Sequence, residues 1–164
     1  VPNKKGLLEI LNAAARTPDH GKLVPWRFIV LQEKTLSNLG KLVESIGLKD
    51  SIPEDKIAKA RKQLEGGHLA VAVIEVQKPS DKIPDIEQTY SVGAVCLALL
   101  NAALAAGWGA NWLTGWHVYN KSFLKNGLKL KNNESIAGLI YLGTATITPP
   151  ERPRPPLDEI VEWL

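Results

Sequence analysis

The sequence predicts a single α+β domain, because apolar helical and strand segments alternate along it at irregular intervals. Repeated βαβ units would give a more regular alternation, and no Gly-x-Gly-x-x-Gly run or Walker loop follows a strand. The chain has 164 residues, of which 45% are hydrophobic and 23% charged, so it can bury one proper core. We therefore expect one domain over residues 1–164.

The first part of the chain predicts two helices around a short strand. Leucine and alanine recur at helical spacing from Leu7 to Ala15, and Pro18 with Gly21 ends this helix. Trp26 to Leu31 is an apolar strand. Thr35 is the expected cap of the second helix, whose apolar stripe consists of Leu36, Leu39, Val43 and Ile46.

A third helix and a central strand follow. Pro53 and the acids after it are typical of a helix start. The thin apolar face of this helix predicts that it is mobile and faces solvent. The face consists of Ile57, Ala60 and Leu64. The apolar run from His68 to Ile74 predicts a strand covered on both faces, with His68 at its polar end.

The segment from about Ile86 to Ala106 predicts a long helix that is apolar all round. Such a helix must be buried, either in a core or at a subunit interface. Its longest apolar stretch, Val92 to Ala106, is shorter than the ~20 residues that span a bilayer, so we expect no membrane span. Two further strands, Asn111–Trp116 and Ile136–Thr144, flank the amphipathic segment Ser122–Leu130.

Charge and cysteine content limit the possible functions. The net charge is only +3 and no nucleic-acid recognition motif accompanies it, so we expect no nucleic-acid partner. Cys96 is the single cysteine, which favours a reducing compartment, the cytoplasm. Within an apolar helix it is expected to be a small buried hydrophobe. The three histidines show no ligand spacing, which disfavours a metal hydrolase.

The loop Ala15–Phe28, with the sequence ARTPDHGKLVPWRF, is the most informative segment. Binding groups concentrate in loops held between rigid elements, and Arg16, His20 and Lys22 could point into one anion-binding pocket. Read from the residues alone, the same run is explained equally well by cations on the last turn of a helix and a tryptophan in the core.

This loop resembles the loop after the first core helix in the nitroreductase family of flavin enzymes. The resemblance continues through Glu87-Gln88, the Ala-rich helix, Gly107–Trp112 and Gly138–Thr144, and so covers nearly the whole chain. The Arg-x-Pro-Asp-His-Gly form is similar to the minimal, single-domain branch. The resemblance implies a central, mostly antiparallel sheet flanked by helices, in a homodimer with exchanged terminal segments.

The resemblance also implies FMN as cofactor and NADH or NADPH as hydride donor. Arg16 and His20 are then flavin contacts, one of them reaching the FMN of the other subunit, and Lys22 is a weaker candidate. A second group of flavin contacts is Trp112, Leu113 and Thr114. The branch commonly has Arg-Ser at the last two positions, so Leu113 is limited to backbone contact while Thr114 keeps a hydroxyl. Without the resemblance, the tryptophans of this run are simply large core fillers.

Two further segments are assigned by resemblance. The end of the long helix matches the segment that binds the nicotinamide nucleotide in the family, although a role in packing is the alternative. The segment consists of Ala102, Ala103, Leu104, Ala105, Ala106 and Gly107. Arg152 and Arg154 resemble the C-terminal basic pair that holds the flavin phosphate, although a polyproline docking peptide is the alternative. Apolar residues from Leu157 to Leu164 predict a tail that returns to pack, on its own chain or across a dimer.

The resulting expectation is a homodimeric, cytoplasmic FMN oxidoreductase with a small-molecule acceptor, a nitroaromatic or a quinone, working by a ping-pong cycle. No protein side chain is required as acid or nucleophile, so no catalytic residue is assigned. The family's Arg-rich N-terminal phosphate-binding tip has no counterpart before Lys4, which predicts weaker FMN binding by the chain as given. The alternatives are a flavin carrier or sensor without turnover, and dehalogenation or flavin cleavage on the same fold.

Overall fold

The computed structural model describes residues 1–164 as helices packed on both faces of one four-stranded sheet. The helices are α1 Lys4–Ala14, α2 Glu33–Lys49, α3 Glu54–Glu65, α4 Asp85–Ala105, α5 Lys121–Gly127 and α6 Leu157–Ile160. The strands are β1 Trp26–Gln32, β2 Leu69–Val76, β3 Gly109–Leu113 and β4 Glu134–Gly143. The strand order is β1-β2-β4-β3 and every pair is antiparallel, which confirms the α+β fold class and the antiparallel sheet.

The central position of β2 explains its continuous apolar sequence. Successive side chains of a strand point to opposite faces, and both faces of this strand are covered. Ala70, Ala72 and Ile74 join a core with α2, α3 and α5. Leu69, Val71 and Val73 join a second core with α1 and α4. The prediction of a strand buried on both faces is confirmed.

The predicted stripe of α2 is fully buried, but the predicted cap is wrong. The helix begins at Glu33, directly after the extended residue Gln32, because β1 runs into α2 without a loop. Thr35 is therefore an exposed residue inside the first turn. The solvent-facing orientation predicted for α3 is also wrong, since its apolar face is buried against α2. Gly47 permits this approach, because a Cβ there would lie 2.5 Å from the Ile57 side chain.

Helix α4 is buried on one face only. Its inner face packs in the second core and includes Cys96, whose thiol pKa is raised to about 12 by burial, as expected of a small buried hydrophobe. Its outer face exposes half or more of the Ile86, Tyr90, Leu97 and Leu104 side chains. By length and composition α4 could cross a membrane, and its packing against α1 and the sheet accounts for the apolar inner face.

Two further segments differ from the sequence prediction. The strand expected over Asn111–Trp116 ends at Leu113, and Trp116 lies in a 3₁₀ turn where its indole N–H donates to the Lys56 carbonyl at 3.2 Å. The C-terminal tail does not pack on its own chain: every residue from Thr144 to Leu164 is exposed. The alternative that the tail packs across a dimer stays a prediction.

Candidate functional site

The loop between α1 and β1 is held in a strained conformation. The Asp19 carboxylate accepts a hydrogen bond from the Val24 backbone N–H at 2.7 Å. Gly21, Lys22 and Val24 all have positive φ angles, of 72°, 55° and 50°. A β-branched residue rarely adopts this region, so Val24 stores strain that the surrounding contacts must offset. Such strain is commonly found where a loop holds a ligand.

The three loop residues predicted to bind flavin differ in their contacts. His20 Nδ1 lies 2.6 Å from Glu87 Oε2, which fastens the loop to the first turns of α4. Arg16 and Lys22 are exposed and their side chains make neither hydrogen bonds nor ion pairs within the chain. Because neither side chain is paired in the folded chain, these two cations are available to contact an anion. Their flavin role stays a prediction.

A cleft of about 940 Å³ opens between α4, α5 and the β3–β4 edge, and Trp112 is the one predicted site residue that lines it. The indole is 38% exposed and lies directly on Gly138, where a Cβ would be 2.2 Å from the indole nitrogen. Leu113 is half-buried and Thr114 is exposed just beyond the strand. The cleft thus presents an aromatic ring in a fixed position.

Glu75 lies in this cleft and holds a small polar network that the sequence analysis missed. One carboxylate oxygen accepts from Thr89 Oγ1 at 2.6 Å and from Gln77 Nε2 at 2.7 Å. The other accepts from Ser135 Oγ at 3.0 Å. The network ties β2 and β4 to α4, and no sequence pattern marks it because its members come from three segments that are separated in the sequence.

The cleft also contains Glu134, which is clamped by Arg27. Two hydrogen bonds of 2.8 Å join the guanidinium to both carboxylate oxygens, and the Lys131 backbone N–H donates to the same carboxylate at 2.9 Å. The hydrogen bond from Arg27 is the main reason that the pKa of Glu134 falls from 4.5 to about 2. Glu134 is therefore ionised and cannot act as a proton donor near neutral pH.

A buried polar group lies beneath the residues that follow β3. His117 is fully buried against Phe123, with ring centroids 5.1 Å apart, and burial lowers its pKa to about 4. A Cβ on Gly115 would lie 3.0 Å from His117 Nδ1 and 3.9 Å from Gln63 Oε1, so both side chains approach Gly115. His117 is neutral near pH 7, and its role was not predicted.

The remaining predicted residues lie away from the cleft lining. At the end of α4, Ala103 is buried in the core, Ala102 is half-buried, and Leu104 to Gly107 are exposed. In the tail, Arg154 pairs with Glu151, while Arg152 has no partner. Within one chain neither segment lines the Trp112 cleft, and both assignments stay predictions. No cluster of three or more His, Cys, Asp or Glu side chains could hold a metal ion.

The fold and the cleft define an α+β protein of the nitroreductase-like class, and comparison with known proteins assigns the family. The sequence model of the Nitroreductase family matches residues 2–144, so the chain belongs to that family. A Haemophilus influenzae protein, named for an inferred NAD(P)H nitroreductase activity, is 31% identical over 144 residues. That match covers 87% of this chain and 78% of the relative. Escherichia coli YdjA, named for the same inferred activity, is 28% identical with the same coverage.

Solved structures agree with the fold. A nitroreductase-like family protein from Bacillus cereus superimposes with a TM-score of 0.81 at 23% identity, covering 100% of this chain and 86% of its own. A nitroreductase-type protein from Exiguobacterium sibiricum, solved in complex with FMN, gives a TM-score of 0.73 at 18% identity. That second match covers 99% of this chain and 87% of the other. At these identities the superpositions establish the shared fold.

Proposed function

We propose that this protein is an FMN-dependent NAD(P)H oxidoreductase that reduces nitroaromatic or quinone acceptors. The observation that carries the proposal is the Trp112 cleft at the end of β3, in a chain that belongs to the nitroreductase family. FMN, when bound, would accept a hydride from NADH or NADPH and pass it to the acceptor. The family relatives named for NAD(P)H nitroreductase activity support the same assignment.

The residues present fit FMN. The cleft, at about 940 Å³, is within the usual size range of ligand sites and is lined by both apolar and polar side chains. The half-exposed indole of Trp112 offers a flat surface to a heterocycle. Arg16 and Lys22 are cations without partners in the chain, as a phosphate-binding group requires.

The protein would act by binding and orientation rather than by acid–base chemistry. Trp112 and the backbone of Leu113 and Thr114 would orient the ring, and the His20–Glu87 pair would hold the loop that carries Arg16. The ionised Glu134 and the neutral, buried His117 have pKa values too low to supply a proton near pH 7. Nucleotide and acceptor would occupy the same cleft in turn, which is the basis of a ping-pong cycle.

We further propose that the protein works as a cytoplasmic homodimer with exchanged tails. The outer face of α4 leaves large apolar side chains exposed, and contiguous apolar surface of this kind commonly marks an interface. The tail exposes Leu157, Ile160, Val161, Trp163 and Leu164, which have no contacts to bury them in one chain. A partner subunit would cover both surfaces and bring the Arg16 loop and Arg152 to the cleft of the other chain.

The visible spectrum of the purified protein tests the proposal. Oxidised-flavin bands that persist through gel filtration after addition of FMN, and that bleach when NADH or NADPH is added without oxygen, are the expected result. Reoxidation of the bleached protein by a nitroaromatic or a quinone would establish the second half of the cycle. A flavin-bound protein that oxidises NAD(P)H no faster than free FMN would be a carrier, and a colourless protein that ignores FMN would overturn the proposal.

A further inference from the structure

Three lysines line the Trp112 cleft: Lys121 and Lys125 on α5, and Lys131 in the segment that leads into β4. All three are exposed, and none forms an ion pair within the chain. Lys121 and Lys125 are four residues apart on one helix and therefore share a face. The sequence analysis assigned no role to them.

The backbone positions of these lysines are fixed by specific contacts. Asn120 begins α5 by accepting a hydrogen bond from the Phe123 N–H at 3.1 Å, and it donates one to Asp50 at 2.9 Å. Phe123 is buried in the first core, so the helix is anchored from below. Lys131 is positioned through its own N–H, which donates to the Glu134 carboxylate that Arg27 clamps. Hydrogen bonds and core packing therefore hold in place the backbone that carries the three lysines.

Three lysines outnumber the two acids of the cleft lining, Glu75 and Glu134. Arg27 pairs with Glu134, and the charge of Lys131 also contributes to the lowered pKa of that carboxyl group. Glu75 accepts hydrogen bonds from three neutral side chains and contacts none of the lysines. Like charges at helical i,i+4 spacing repel each other, so Lys121 and Lys125 slightly destabilise the free protein. A bound dianion would reverse that effect.

The same cleft carries a second aromatic side chain, close in sequence to Lys121. Tyr119 is 74% exposed and lines the cleft, whereas Trp112 is assigned to the flavin ring. An exposed aromatic ring can stack on a purine, while lysines in the same cleft attract phosphate groups. The combination fits a nucleotide that carries a terminal phosphate monoester, a group with nearly two negative charges near neutral pH.

We propose that Lys121, Lys125 and Lys131 bind the 2′-phosphate of NADPH and make the protein prefer NADPH to NADH. The 2′-phosphate is the only group by which the two donors differ, so the lysines would act as specificity-determining residues. This inference rests on the proposed function for its physiological meaning. Its physical content, recognition of a 2′-phosphate, can be measured without any hydride transfer.

Calorimetric titration of the FMN-treated protein with 2′,5′-ADP and with 5′-AMP tests the site directly. We expect the wild type to bind 2′,5′-ADP roughly tenfold or more tightly than 5′-AMP, with a preference that shrinks as salt is raised. The double variant Lys121→Gln/Lys125→Gln should lose this preference. The control Lys56→Gln/Lys59→Gln removes two exposed lysines of α3, outside the cleft lining, and should keep it.

The single variant Lys131→Gln leaves the backbone hydrogen bond to Glu134 in place and should lower the preference by a smaller factor. If the double variant unfolds, which circular dichroism would detect, the Lys131→Gln variant still measures how far the preference for 2′,5′-ADP depends on a lysine. Equal affinity of the wild type for the two nucleotides, or an equal loss of preference in the control, would overturn the proposal.

Steady-state kinetics separate this inference from the proposed function. In an active enzyme the ratio of kcat/KM for NADPH to that for NADH should fall about tenfold in the double variant. Lysine-dependent binding of 2′,5′-ADP without oxidation of either donor would reject the oxidoreductase and leave the phosphate site standing. Oxidation of both donors with equal kcat/KM would support the oxidoreductase and reject the phosphate site.

Discussion

Arg27 of β1 and Glu134 at the start of β4 are joined across the intervening strand β2 by two hydrogen bonds of 2.8 Å. Arg27 is paired with Ile74 in the sheet register, and Ile74 is paired in turn with Ile136. The side chain of Glu134 is only 3% exposed, whereas that of Arg27 is 40% exposed. The pair therefore fastens the β4 end of the cleft to the outermost strand on the far side of β2.

Replacing Glu134 with Gln should lower the free energy of unfolding by about 2 kcal/mol at pH 7, because a shielded bidentate ion pair is lost. The expected loss of stability is smaller than for a fully buried ion pair, because solvent screens the exposed guanidinium. Urea unfolding measures the change. Glu9→Gln, an exposed change within α1 that removes no ion pair, is the control and should remain within about 0.5 kcal/mol.

The loss of stability in Glu134→Gln, relative to wild type, should become smaller in acid. The pKa of Glu134 is about 2 in the folded chain against 4.5 as its ordinary value, so its stabilising contribution is complete above pH 4.5 and is lost as pH falls towards 2. The difference in unfolding free energy between wild type and Glu134→Gln should therefore shrink between pH 4.5 and pH 2. A difference that stays constant over this range would contradict the role given to the ion pair.

The sequence predicted those parts of the fold that repeat locally. The alternating faces of β2 and the buried stripe of α2 follow from side-chain periodicity, which is written in consecutive residues. Arg27 and Glu134 could not be paired in this way, because they are 107 residues apart and meet only through the strand order β1-β2-β4. The Glu75 network was not predicted for the same reason, because its members are far apart in the sequence.

The errors in the sequence prediction have local physical causes. Thr35 is a good capping residue, but β1 continues into α2 two residues earlier and leaves nothing for it to cap. Trp116 extends the apolar run of β3, yet Thr114 and Gly115 separate it from the strand and its indole N–H bonds to α3. The outer face of α4 is apolar but exposed in one chain, so periodicity identified the helix and did not decide what covers that face.

His117 should make the protein less stable in mild acid. Burial lowers its folded pKa from 6.5 to about 4, so below pH 6.5 the unfolded chain binds a proton that the folded chain does not. Stability should fall as pH is lowered from 6.5 to about 4, by about 2 to 3 kcal/mol from this residue. In His117→Gln this component should disappear from urea midpoints measured at pH 7, 5.5 and 4. The same acid dependence in wild type and in His117→Gln would contradict this role of His117.

Replacing Arg16 with Ala should weaken FMN retention without lowering stability. The side chain makes no hydrogen bond or ion pair in the chain, so its removal should change the free energy of unfolding by less than about 0.5 kcal/mol. The FMN-to-protein ratio after gel filtration should fall relative to wild type and to Lys34→Ala, an exposed lysine of α2. Flavin content equal to that of wild type would remove Arg16 from the site.

Gly138→Ala should displace Trp112 and disturb the cleft. A Cβ at residue 138 would lie 2.2 Å from the indole nitrogen and 2.7 Å from the adjacent ring carbon, so the ring must move. Gly143→Ala in the same strand is the matched control, because a Cβ there would have no neighbour within 4 Å. We expect Gly138→Ala to shift tryptophan fluorescence and to lower FMN affinity, while Gly143→Ala changes neither. A Gly138→Ala protein with a shifted tryptophan spectrum and unchanged FMN affinity would show that the ring of Trp112 does not contact the flavin.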